Sequence, residues 1–194
     1  MQPLVASDLL GLERYARERA AIRARMIAHR AARRLVIGPN CSWSFEDRAT
    51  IAYQVQEMLR AERIFEPAAI AGELAAYNPL VPDGRNLKAT FLVEFPDPGE
   101  RELRLRELRG VERCCWLRVE GFEHVLGIAD EDLERESGEK TSAVHFLRFE
   151  LDAAMIGALR AGAALSAGVS HAAYLHEVAP VPPGLRASLL GDFD

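Results

Sequence analysis

Residues 45–64 read FEDRATIAYQVQEMLRAERI, and the fold turns on how this stretch divides. Its first two residues close a strand, Cys41–Glu46, which pairs with Arg34–Gly38 around Gly38-Pro39-Asn40. From about Asp47 to Ile64 the apolar residues recur at helical spacing. Wound at about 100° per residue, Ile51, Val55, Met58 and Leu59 share one face. Glu62 falls at the middle of that arc and Gln54 on its edge, whereas Glu57 and Arg60 lie towards the opposite side. A carboxyl centred on an apolar face has to be paired or shifted towards its neutral form, because burying a bare carboxylate is costly. Glu62 is therefore expected to face inward. It either meets a core-facing arginine in a structural role or serves as a metal ligand or general base.

Upstream, Ser7-Asp8 offers an N-cap for a first helix over about residues 8–32. Leu9, Leu12, Tyr15, Ile22 and Met26 form its apolar stripe, and Arg14, Arg17, Arg23, Arg25 and Arg30 the opposite face. That face reads as solvated, with Glu–Arg pairs, or as the contact for an acidic partner. His29, near the helix C-terminus, reads as a capping residue. Downstream, a helix over about Pro67–Tyr77 starts on proline, where a missing N–H costs little. The loop YNPLVPDGRN (77–86) is long and polar enough for a lid.

Strands follow at Lys88–Phe95, Arg113–Glu120, Glu123–Ala129 and Ala143–Leu151, with a short helix at Glu100–Leu108. Gly121-Phe122 suits a type II′ hairpin turn. The acidic segment ADEDLERESGEK (129–140) reads as a loop or short helix. Asp152 caps a helix over Ala153–Ala161, a last hairpin joins Ala163–Val169 to Tyr174–Val178, and a helix closes the chain at Gly184–Leu190. Strands that come in hairpins favour a largely antiparallel sheet packed with helices. The expectation is one α+β domain spanning residues 1–194.

The composition agrees with a globular chain: 194 residues, 49% hydrophobic and 27% charged. A net charge of −5 excludes a dedicated nucleic-acid binder, which needs a concentrated basic surface. No apolar run reaches membrane-spanning length, and the N-terminus turns charged too early for a secretory signal. The cysteines, Cys41, Cys114 and Cys115, are odd in number and lack CxxC spacing, which argues against a disulfide framework and for a reducing cytoplasm.

Chemistry-bearing residues gather on two faces. One face of the strands is apolar and holds His145 and His124; the other mixes Glu94, Trp116, Arg118, Phe146, Arg148 and Glu150. The mixed face reads as solvent-exposed cross-strand ion pairs or as a ligand groove, with Arg118 and Arg148 as donors to an anion; Gln54, on the edge of the helix face, is a further candidate for ligand binding. His145 is a core histidine or a metal ligand. With His171 (or His176) and Glu62 (or Glu57), it would suit iron, zinc or manganese. No phosphate loop, GxGxxG, GxSxG or HExxH motif is present, and the acidic run 130–136 has Arg135 where a calcium loop needs glycine.

The stretch 45–64, AYNPLVPDG, EKTSAVHFLRFEL and GVSHAAYLHEV together resemble a bacterial family of about this length classed as a domain of unknown function. Residues 171–174 read HAAY where HPxY is expected of the family. The resemblance implies no established activity; its implied setting is redox or iron metabolism, with an iron-containing redox protein as partner. Three functional classes stand: an accessory or ligand-binding protein, a metal-dependent enzyme acting on a small anionic substrate, and a structural subunit of a homo-oligomer.

Overall fold

The computed structural model describes residues 2–129 and 140–193; the acidic segment read above as loop or short helix lies, apart from its ends, outside the described residues. The chain begins with a 3₁₀ turn at Ala6–Asp8, and the first helix, α1 (Leu12–Ala32), starts behind Gly11. The expected cap at Ser7-Asp8 is therefore corrected: Asp8 closes the separate turn by accepting from Val5 N, and it pairs with Arg48. A hairpin of β1 (Arg34–Ile37) and β2 (Cys41–Glu46) leads into α2 (Arg48–Glu62) and α3 (Pro67–Tyr77). Then come β3 (Asn86–Val93), α4 (Pro98–Glu107), β4 (Cys115–Val119), β5 (Val125–Leu126), β6 (Ile128–Ala129) and β7 (Val144–Glu150). The fold closes with α5 (Ala153–Ala161), β8 (Leu165–His171), β9 (Tyr174–Val178) and α6 (Pro183–Leu190).

The α+β class holds, with one refinement. The strands form two antiparallel sheets, ordered β1-β2-β3-β7-β6 and β5-β4-β8-β9. Their apolar faces share one core, in which Trp43, Phe91 and Phe149 of the first sheet join Leu117, Ala167 and Val169 of the second. Strand alternation shows which side of a strand is buried but not which sheet it joins, so the two mixed faces point away from each other. Leu126 and Ile128, expected inside, are exposed on short edge strands. His124 stacks on Trp116 at 4.1 Å on the outer side of the second sheet instead of entering the core.

Helix α2 is held on two sides. Ile51, Val55 and Leu59 bury against Leu74 of α3, Val81 and Leu4 in a second apolar cluster. Towards α1, the buried Gln56 amide accepts from Leu10 N and donates to Leu10 O, and Glu57 takes Arg19 and the Tyr15 hydroxyl. The inward placement of Glu62 is corrected. It is the last residue of α2, the chain turns off at Arg63 in the left-handed region (φ 56), and the Glu62 side chain is exposed. Ile51, Val55 and Leu59 bury as their spacing predicts, but Met58 of the same expected face is only half-buried and Gln56 is buried instead. His29 is also corrected: its Nε2 lies 2.6 Å from Asp47 Oδ2, so it meets the capping residue of α2 rather than capping α1.

Candidate functional site: a cleft over the first sheet

Across β2, β3, β7 and β6, on the outer side of the first sheet, Glu46, Lys88, Arg148 and Ile128 stand in register. Period-two alternation puts them on the face opposite Phe45, Ala89 and Leu147, which belong to the core. Above this row lies a cleft of about 120 Å³ between the sheet and the end of α3. Glu46, Lys88 and Arg148 line it together with apolar walls from Leu80, Ile128 and Phe146. Leu80 belongs to the loop read as a lid; its first residues form a 3₁₀ turn, Asn78–Leu80, and serve as a wall.

Glu46 is 5% exposed and is held by neutral donors. Its Oε2 accepts from Thr50 Oγ1 at 2.5 Å and Gln54 Nε2 at 3.1 Å, and its Oε1 from Thr90 Oγ1 at 2.7 Å. Local sequence explains the arrangement. Asp47 caps α2 by accepting from Thr50 N while Asp47 N donates to the Thr50 hydroxyl, so the cap fixes the first turn beside the strand end. Gln54 follows four residues later on the same side of the helix. Lys88 Nζ donates to Pro79 O at 2.5 Å and Val81 O at 2.9 Å, tying the cleft wall to the sheet. Arg148 pairs with Glu150, whose carboxylate also accepts from Asn86.

Behind the same strand end, the buried Arg33 guanidinium donates to Phe45 O, Glu46 O and Asp192 Oδ2, the last at 2.5 Å, and to Ser188. Asp47 stands 3.5 Å from it. Burial pushes the Asp192 carboxyl up to about 6 although Arg33 opposes the shift.

The residues singled out from the sequence part company here. Gln54 and Arg148 meet at the cleft, one through Glu46 and the other in the lining. Arg118 does not join them: it lies on the second sheet, 6.0 Å from the Trp116 ring, beside a separate open depression. Glu62, His145 and His171 stay apart. His145 is buried in the core, its ring against Phe91 and its Nε2 2.9 Å from Thr141 Oγ1 and 3.9 Å from Glu112 Oε2. His171 Nε2 lies 3.0 Å from Arg109 O on the second sheet, and His176 packs against Tyr174. Among the described residues no three His, Cys, Asp or Glu side chains are grouped as a metal site. Burial also raises the thiols, Cys41 to about 11 and Cys115 well above its usual range, which disfavours the nucleophilic thiolate.

Sequence reading missed Glu46 and Lys88. Glu46 had a signal: it ends a strand whose other face is Cys41, Trp43 and Phe45, directly before a capping aspartate. Lys88 had only its rarity, being one of two lysines in the chain.

A family profile described as "Protein of unknown function (DUF3501)" matches residues 3–193. The chain belongs to the DUF3501 family. Among solved structures, this DUF3501 chain is similar to a novel protein of unknown function from Burkholderia pseudomallei K96243, at 49% identity, with 100% of each chain covered and a TM-score of 0.94. No curated protein matches it. Among the described residues no helix of the DUF3501 chain is long and apolar enough to cross a membrane.

Proposed function

We propose that this DUF3501 protein is a binding protein for a small carboxylate with an apolar body, held in the cleft between α3 and the first sheet. The carrying observation is the composition of that cleft, where Arg148 and Lys88 stand beside apolar walls of Phe146, Leu80 and Ile128. A guanidinium offers a planar fork that matches a carboxylate, and the walls remove the ligand's apolar part from water. At about 120 Å³ the cleft is smaller than the cavity of roughly 150 Å³ that takes benzene, so it favours a compact aliphatic body over an aromatic ring. No thiol or imidazole lines the cleft among the described residues, so binding is preferred to group transfer. The link to an iron-containing redox partner rests on the sequence resemblance alone, and no residue of the cleft speaks to it.

The test is a thermal-shift and calorimetry panel of branched and aromatic carboxylates, with and without an α-amino group, on the wild-type chain and on Arg148→Gln. At least one compound is expected to raise Tm and to lose about tenfold or more in affinity with Arg148→Gln, in line with about 1.5–3 kcal/mol for a charged hydrogen bond. A panel with no shift at millimolar concentration, or shifts that Arg148→Gln leaves intact, would remove the reading.

A further inference from the structure

Glu46 raises a question that a carboxylate ligand leaves open. A carboxylate has about four acceptor positions; Oε2 receives Thr50 and Gln54, and Oε1 receives Thr90 only. All three donors are neutral, and Glu46 makes no ion pair among the described residues. Lys88 is its cross-strand neighbour, yet two of the three ammonium protons go to the Pro79 and Val81 carbonyls. A buried carboxylate is ordinarily completed by a positive charge or a charged donor. Here the position left for one is Oε1, on a residue that lines the cleft.

Resting on the carboxylate-binding reading above, we infer that the ligand is a zwitterion: a small apolar α-amino acid whose ammonium completes Glu46 and whose carboxylate meets Arg148. The register supports the polarity. Glu46 and Arg148 sit two strands apart, about 10 Å between backbones at the usual strand spacing, with Lys88 between them. In that order the ligand's negative end lies towards β7 and its positive end towards β2. Phe146, Leu80 and Ile128 then pack against the side chain. The neutral holders have a function in this arrangement. Thr50, Thr90 and Gln54 hold the carboxyl in place with neutral donors and leave an acceptor position on Oε1 for the ligand ammonium.

The experiment is isothermal calorimetry on the wild-type chain with three probes that share one branched side chain: L-leucine, 4-methylpentanoate (amino group removed) and 3-methylbutylamine (carboxylate removed). L-leucine is expected to bind at least about tenfold more tightly than either. Glu46→Gln is expected to lower the ratio of leucine to 4-methylpentanoate affinity about tenfold. Should 4-methylpentanoate match leucine, the zwitterion is wrong and the carboxylate cleft survives. Should the amine match leucine and Arg148→Gln have no effect, both readings fall, as they do if none of the three binds. The wild-type comparison decides the matter even if Glu46→Gln does not fold.

Discussion

Glu57 and Asp192 show how differently two carboxyls of one chain answer to pH. Glu57 takes two hydrogen bonds from Arg19 and one from the Tyr15 hydroxyl, and Arg19 chiefly holds it down to about 2. A depressed carboxyl contributes stability that is present above its ordinary value of 4.5 and is lost as pH falls through about 2. Because the side chain is 24% exposed, solvent screening limits the effect to about 1 kcal/mol. Urea unfolding at pH 6 and pH 3 should show a larger loss in the wild type than in Glu57→Gln, which retains the depressed Asp8 and Glu18; equal losses would sink the idea. Asp192 runs the other way. Its carboxyl, raised from 3.8 to about 6 by burial, contributes stability that is complete below 3.8 and is lost as pH rises through about 6. Asp192→Asn cannot titrate, so its urea midpoint should fall less than that of the wild type between pH 4 and pH 7. Parallel curves for the two chains would contradict this.

At the scale of elements, the β1–β2 hairpin is locked to β9 by contacts that tolerate little change. The Tyr174 hydroxyl donates to Ile37 O at 2.7 Å and accepts from Asn40 N at 3.0 Å, spanning the turn. Gly38 sits at φ +67, and a Cβ there would come within 2.5 Å of the Tyr174 hydroxyl and 2.6 Å of His176 Cγ. Gly38→Ala should therefore cost about 2 kcal/mol or more, combining left-handed strain with overpacking. Tyr174→Phe should cost about 1–3 kcal/mol by leaving polar backbone groups without a partner. Chemical denaturation of both variants measures this, and a change under 0.5 kcal/mol in each, roughly the range of neutral surface substitutions, would show that the lock carries no load. The hairpin itself was legible from Gly38-Pro39-Asn40, as were α3, α5 and β9, because their caps, prolines and apolar periods are local. The lock was not legible, since it joins residues 137 positions apart. Helix α2 falls between these cases. Its phase could be read from Ile51, Val55 and Leu59, but the end of the surface it packs on, which decides Glu62, depends on where α3 stops.

For the whole molecule, two sheets share one core and α2 and α3 cover part of the outer face of the first. Alternation in Lys88–Phe95 and Ala143–Leu151 showed a buried side without showing that Arg118 and Arg148 belong to different sheets. Gln54 and Arg148 could be named as candidates from polarity and period, whereas Glu46 joins the candidate site only when Thr50, Gln54 and Thr90 meet around it. The last helix belongs to this global level, because Leu185, Leu189 and Phe193 bury in the main core and Asp192 neutralises Arg33. Deleting residues 183–193 should abolish cooperative unfolding, read as loss of near-ultraviolet dichroism and a broad urea transition, because Leu185, Leu189 and Phe193 leave the main core and Arg33 loses its Ser188 and Asp192 acceptors. A deletion variant that unfolds sharply would refute this. Arg33 and Asp192 are 159 residues apart, and a ribosome adding about 5–20 residues per second takes roughly 10–30 s to make that stretch. During that interval the guanidinium behind the Glu46 carbonyl has Asp47 but not Asp192 to pair with. The Arg33 environment, behind the strand end where the cleft floor begins, therefore cannot reach its final form until translation has passed α6 and reached Asp192.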